Sequence, residues 1–297
     1  MTKVTTHAIH FDEAGFHEDI LDQPFIPEAF LKTRRSFLWI HLEGERDIHN
    51  LRPLFDELGL DNSHLHTLHD LNQRPRVELY QDYAHCVSKF ELLSQKTKKR
   101  YAKTTEKITL FFNENFVLTY HPSTRPIFTG TRESLKENAE LRRKGPVYLA
   151  YTLLDTIIDA YEPTLESYES YIDHLEDVVI DKPNNKTFLA IHDLKKQLSA
   201  SHSAFGHMIQ AIDELTFSPP SYLKDENLDH FEKLNDEAHH SLDRINAFRD
   251  DLSGLVDLFF SSQGSKLNDL LKILTLVSMI FVPIGFLIGI WGLPYYD

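Results

Sequence analysis

The sequence predicts an α+β membrane protein: a cytoplasmic α/β domain, an acidic helical hairpin, and a long stalk helix that continues into a transmembrane helix. Three observations predict this. Residues Ile273–Tyr296 contain no Asp, Glu, Lys, Arg or His, and about 20 mostly apolar residues carry a helix across a hydrocarbon core of about 30 Å. Short β-rich runs alternate with helical stretches over the first 130 residues or so. Apolar residues then recur in steps of three and four from Leu228 to Phe259, and no proline lies between Tyr222 and Phe281. One amphipathic helix therefore runs straight into the apolar run.

In chain order, strands are expected at His7–Phe11, Phe37–Leu42, His85–Leu92, Ile108–Phe112 and Phe116–Tyr120. Asn113-Glu114-Asn115 joins the last two, a connection of hairpin length. Helical stretches around Ile48–Leu58 and His64–Leu71 lie between the strands, the second with Asp61 and Ser63 as candidate caps. Strands alternating with helices suggest a sheet with helices packed on it.

Gly145-Pro146 ends this domain, so residues 1–145 form the cytoplasmic unit. A helical hairpin is expected over 146–221. Its first arm runs from Val147 to about Asp181, with a kink at Pro163, and its second from about Thr187 to Leu215. The first arm carries Glu166, Glu169, Asp173, Glu176, Asp177 and Asp181, a charge run that reads as a solvated face. The stalk covers 222–272 and the first transmembrane helix with the region after it 273–297. At about 1.5 Å per residue a helix from Asp225 to Trp291 is about 100 Å long and needs neighbours, from its own domain or from other subunits. Exposure of Phe231, Leu242, Phe248 and Phe259 predicts that a fragment lacking the span still associates weakly.

The totals narrow the function. A net charge of −14 argues against nucleic acid and against docking of the bulk domain on anionic lipid, and is compatible with attracting cations. The one cysteine, Cys86, excludes a disulfide framework within the chain and fits a reducing compartment. The N-terminal residues lack an apolar signal region, and Lys266 and Lys272 just before the span place everything upstream in the cytoplasm. No P-loop, dinucleotide fingerprint, nucleophile elbow or HExxH motif occurs, so nothing points to an enzyme. The dense cluster is His64-Leu65-His66-Thr67-Leu68-His69-Asp70. On a continuous helix His66, His69 and Asp70 share a face that can hold a divalent metal; the plainer reading is a polar helix surface.

Five stretches carry a family resemblance: WIHLEG at Trp39–Gly44, HTLHDLNQRPRVELYQDY at His66–Tyr83, ITLFFNENFVLTYH at Ile108–His121, GPVYLAYTLLDTIID at Gly145–Asp159, and LNDLLKILTLVSMIFVPIGFLIGIWG at Leu267–Gly292. In this order they resemble the CorA-type divalent-cation transporters over nearly the whole chain. The last is the most specific, with Asn268, Lys272, Thr275, Pro283 and Gly289-Ile290-Trp291-Gly292 at matching positions. The resemblance implies a homopentamer in the cell membrane, of the bacterial inner membrane type, whose stalk helices become the pore-lining spans. It implies passage of hydrated Mg²⁺ and often Co²⁺ or Ni²⁺, with Zn²⁺ in a related branch, and no cofactor beyond a transported and regulatory divalent cation. On matching positions Asn268, Leu271, Leu274, Ser278, Val282 and Gly292 face the pore, with Leu271 and Leu274 as hydrophobic constrictions.

The chain also departs from the family pattern. The family's G-M-N filter is here Gly292-Leu293-Pro294, which removes the amide ring expected to hold a hydrated cation. No second apolar run follows, so the sequence as given reads as truncated after the first span. Asp70 matches a carboxylate that binds regulatory Mg²⁺ between subunits; its partner position holds Lys233, with Glu232 and Asp236 nearby, and a lysine there is able to pair with Asp70 in place of the ion. The leading expectation is a channel subunit, and the alternative is a non-conducting, membrane-anchored homologue acting as a binding or regulatory subunit.

Overall fold

The computed structural model describes residues 4–21, 36–45, 47–70, 73–97 and 100–291. The chain divides into two compact units, Met1–Glu169 with Leu198–Ala247, and Ser170–Gln197 with Phe248–Asp297.

The first unit is built on a seven-stranded sheet: β1 (Thr5–Phe11), β2 (Phe16–Leu21), β3 (Phe37–Glu43), β4 (Arg76–Leu79), β5 (Ala84–Thr97), β6 (Arg100–Phe112) and β7 (Phe116–His121). Their spatial order is β2-β1-β3-β7-β6-β5-β4. Every pairing is antiparallel except β3 with β7, where Leu38 to Glu43 pair with Phe116 to His121 in parallel. The connection from β3 to β7 carries two short helices, α1 (Arg52–Leu58) and α2 (Leu65–Leu68), which cover one face of the sheet.

Side chains alternate along a strand, so β3 feeds two cores. Leu38, Ile40 and Leu42 join Leu51, Leu54, Phe55, Leu65, Phe111 and Leu118 under α1 and α2. Phe55 is fully buried, edge-on to Phe111 at 5.4 Å; burying a side chain of that size is worth about 2–3 kcal/mol. Gly59 ends α1 at φ 69, and its N–H reaches the Phe55 and Asp56 carbonyls, a left-handed cap that favours glycine. The odd-numbered residues of β3 face the other side, where Trp39 and His41 pack on Phe128 and the indole N–H of Trp39 donates to Thr119 at 3.1 Å.

Helices α3 (Thr129–Glu137), α4 (Ala139–Arg143) and α5 (Gly145–Asp159) follow β7. Gly145 opens α5 at φ 80, where an added Cβ would be in ordinary contact with the Phe37 ring at 3.4 Å, so it is the backbone conformation that favours glycine. The expected first hairpin arm is not one kinked helix. It breaks at Ala160–Tyr161 into α5 and α6 (Glu162–Asp181). Pro163 lies in the first turn of α6, where its missing N–H costs no hydrogen bond, so it starts a helix and does not bend one. The acidic residues of α6 are all exposed, as a solvated face requires.

Helix α7 (Asn185–Phe217) returns and α8 (Asp225–Trp291) follows. The turn between α6 and α7 belongs to the second unit. There Asn184 caps α7 by accepting from Lys186 and Thr187 N–H at 2.9 and 3.1 Å, Phe188 packs on Phe259 at 5.4 Å, and Lys266 donates to the Asp181 carbonyl at 3.5 Å. The α8 stripe finds its partners within this chain. Phe231, Leu234, Ala238, Ile245 and Leu252 are 0% exposed, Phe248 and Phe259 are buried, and Leu242 is half-buried. The expected association of a span-free fragment through Phe231, Leu242, Phe248 and Phe259 therefore loses its basis: the chain covers these side chains itself.

The sheet face under Phe128 carries a pH-dependent element. His41 is 1% exposed, its Nδ1 2.7 Å from Thr119 Oγ1 and its Nε2 3.0 Å from Glu43 Oε1. Burial takes its pKa down to about 4; Glu43 opposes this, while His7 and His121 add to it. Between about pH 6.5 and 4 the unfolded chain therefore binds a proton here that the folded chain refuses, and stability falls as pH falls through that window. Denaturation of the chain in detergent at pH 7 and 4.5 checks this. The native protein should lose about 2 kcal/mol more than His41→Gln over that interval; equal losses would remove His41 as the cause.

Candidate functional site

Among the described residues one helix, α8, is long and apolar enough to cross a membrane. From Gln263 to Gly289 every residue is exposed, including Leu270 at 65%, Phe281 at 68% and Phe286 at 69%. An apolar helix open on all sides needs lipid or other protein around it. Pro283 lies inside α8 and removes one helical donor, which membrane helices tolerate. Thr275 bonds its hydroxyl back to the Leu271 carbonyl at 2.8 Å, hiding a polar group inside the helix's own turn.

The expected pore residues form one line on this helix. At about 100° per residue, Asn268, Leu271, Leu274, Ser278 and Val282 fall within an arc of about 120°. All five are exposed in the single chain. Asp269, on another face, pairs with Lys272 at 3.2 Å, so the charges at the membrane boundary stand off the arc. Gly292, Leu293 and Pro294 lie outside the described residues.

In the sheet domain the expected metal-binding face does not form. Helix α2 ends at Leu68 and His69 is its cap, so the helical spacing of His66, His69 and Asp70 is broken. His66 is exposed and lines a groove with Ile48, His49, Arg52, Asn62 and Leu65. His69 turns towards Tyr120, whose hydroxyl is 3.3 Å from Nε2. Asp70 is exposed, and Glu232, Lys233 and Asp236 are exposed on α8.

The residue that ends α2 was not visible in the spacing. Lys107 on β6 is 1% exposed, and its ammonium donates to the Thr67, Leu68 and Asp70 carbonyls at 2.5, 3.2 and 3.0 Å and to Gln73 Oε1 at 2.8 Å. A cation at a helix C-terminus satisfies carbonyls that have no helical donor. Burial lowers Lys107 to about 8, opposed by Asp70, so it remains an ammonium at pH 7. Asp155 of α5 is the opposite case: burial first, then the adjoining Glu237 carboxyl of α8, raise it to about 7.

The histidine of the cluster that does meet other metal-ligating groups is His64. Among the described residues, one ligand atom each of His64, Glu78 and His85 lie within 4.8 Å of one another. Glu78 and His85 are cross-strand partners of β4 and β5, a juxtaposition that depends on hairpin register and not on sequence spacing.

A family model described as "CorA-like Mg2+ transporter protein" matches residues 34–293. The chain is 28% identical over 258 residues to the cobalt/magnesium transport protein CorA of Thermotoga maritima, covering 86% of this chain and 73% of that protein. It is 25% identical over 278 residues to the cobalt/magnesium transport protein CorA of Methanocaldococcus jannaschii, covering 92% of this chain and 84% of that one. The complete structure of the CorA magnesium transporter from Methanocaldococcus jannaschii superposes with a TM-score of 0.76 at 22% identity, covering 100% of this chain and 89% of that one. A sheet domain, a helical hairpin and one long helix ending in an apolar span are thus the fold of that transporter as well. With the family match running from before β3 through the span, this chain belongs to the CorA-like Mg²⁺ transporter family.

Proposed function

We propose that the chain is a subunit of a homopentameric channel that moves divalent metal cations, Mg²⁺ first among them, across a cell membrane of the bacterial inner type. The observation that carries this reading is a family match that extends unbroken from the sheet domain into the apolar end of α8. The relatives' names as cobalt/magnesium transport proteins support the ion class. Lys266 and Lys272 at the head of the span support a cytoplasmic sheet domain. Residues 1–145, 146–221, 222–272 and 273–297 serve in this reading as sensor domain, hairpin, stalk and span. No catalytic step and no resident cofactor is part of it.

In the pore, Asn268 supplies an amide ring for a hydrated ion, Leu271 and Leu274 form the apolar constriction, and Ser278 and Val282 continue the wall towards Gly292, Leu293 and Pro294. A constriction of leucine side chains stops ions by excluding water from its lumen. On the cytoplasmic side Asp70, with Glu232 or Asp236 of a neighbouring subunit, is the regulatory Mg²⁺ site, weakened by Lys233 and flanked by His66 and His69.

The test is flux. The full product of the gene, reconstituted into liposomes that trap a Mg²⁺ indicator, should admit Mg²⁺ down its gradient faster when the interior is negative. Absence of flux for Mg²⁺, Co²⁺ and Ni²⁺ alike, in vesicles where the protein is inserted and pentameric, would overturn the reading.

A further inference from the structure

We propose that His64, Glu78 and His85 form a binding site for a divalent transition-metal cation of the Zn²⁺, Co²⁺ or Ni²⁺ type, in the sheet domain and apart from the pore. The three side chains come from three elements. His64 closes the short helical turn Asn62–His64, Glu78 lies on β4, and His85 lies opposite Glu78 on β5. One ligand atom of each lies within 4.8 Å of the other two. Donors about 2.1 Å from a tetrahedral ion stand about 3.4 Å apart, so a small contraction closes the set, and Glu78 Oε2 is already 2.9 Å from His85 Nδ1.

Two further features suit a ligand. The His85 side chain is 0% exposed, and its Nδ1 is fixed facing Glu78 Oε2. His64 is held from outside the cluster: the Tyr83 hydroxyl lies 3.0 Å from its Nε2 and accepts from the Asp61 N–H at 3.3 Å. Metal-binding histidines characteristically spend one nitrogen on such an outer partner, which fixes the ring and leaves the other for the ion. The rings are also locked by packing, with His85 stacked on Phe111 at 4.4 Å and His64 4.3 Å from His85.

The donor set selects the ion. Two imidazoles and one carboxylate suit Zn²⁺, Co²⁺ and Ni²⁺, whereas Mg²⁺ takes oxygen donors and keeps its waters. Glu78 is about one-third exposed, which gives the ion an entry from solvent and room for a water as fourth ligand. Hydrogen bonds from His85 and Arg76 hold the Glu78 carboxyl below the usual range against the effect of burial.

The experiment reads metal binding, so its failure would leave the transport reading standing. The chain in detergent, in millimolar Mg²⁺ to fill oxygen-rich sites, is titrated with Zn²⁺ and separately with Co²⁺. The native protein should bind one more tight equivalent of Zn²⁺ per chain than Glu78→Gln and His64→Gln, whose affinity at this site falls about tenfold or more. Bound Co²⁺ should give the intense visible bands of four- or five-coordination. Tyr83→Phe should keep the stoichiometry and weaken the affinity. Glu78 is partly exposed, so Glu78→Gln should unfold in chelator at the temperature of the native protein. Equal Zn²⁺ equivalents and affinity in the native protein and in a folded Glu78→Gln or His64→Gln would overturn the site. So would a Co²⁺ spectrum of the six-coordinate aqua type.

Discussion

Leu274→Asn should raise divalent-cation flux through the reconstituted protein about tenfold or more, and Asn268→Leu should lower it by a similar factor. The two residues stand on one arc of α8, and both are exposed in the single chain. In the proposed ring of subunits they would become two rings stacked along the pore axis. An apolar ring excludes water and with it the hydrated ion, so amides at that level wet the constriction. A change of about 1.4 kcal/mol in the barrier is already tenfold in rate. Removing the Asn268 amide acts in the opposite sense, because the ion then meets leucine where it had donors and acceptors. Leu276→Asn is the control: it adds the same amide to the same helix, but about 80° outside the arc. Fluxes are read from vesicles carrying equal amounts of assembled protein. If Leu276→Asn matched Leu274→Asn, the assignment of this arc to the pore would be wrong.

The parts of the fold legible in the sequence were those with strong periodicity. β3 and β7 are runs of apolar and β-branched residues buried on both faces, and α8 announces itself by a stripe that the structure buries from Phe231 to Phe259. The strands that escaped, β2 and β4, are the two edges of the sheet. Their sequences, FHEDIL and RVEL, carry the charge that edge strands use to discourage further pairing, and that same charge hides them. α3 and α4 are polar surface helices and escape for a related reason. The break at Ala160–Tyr161 was missed because the apolar pattern continues across it into α6. The metal-ligating residues were read through the wrong periodicity. His66, His69 and Asp70 share a helical face only if the helix passes Leu68, whereas Glu78 and His85 meet across a hairpin turn closed by the Tyr80 N–H to Tyr83 carbonyl bond at 2.9 Å. Which residue faces which across that turn depends on register, which spacing along the chain does not reveal.

Lys107→Met should destabilise the sheet domain by about 3 kcal/mol, the cost of leaving two or three buried acceptors without a donor. Three ammonium protons serve four acceptors: the carbonyls of Thr67, Leu68 and Asp70, and Gln73 Oε1. Met fills nearly the same volume, so packing against the sheet is largely retained and the loss is electrostatic. Removing the ammonium also relieves the burial that lowers its pKa to about 8, so the loss falls below the sum of four charged hydrogen bonds. For a unit of this size, about 3 kcal/mol corresponds to a fall of about 6–12 °C in Tm. The effect should be local as well as global. With its carbonyls released, the segment from Thr67 to Asp70 should exchange its amide hydrogens faster, while β3 and β7 keep their protection. Lys107→Arg is the companion variant: it retains charge and donors but adds a planar head to a cavity fitted to an ammonium, and should fall between the two. A Tm within about 2 °C of the native value for Lys107→Met would mean that water or a rearranged Gln73 replaces the ammonium, and that α2 ends at Leu68 for some other reason.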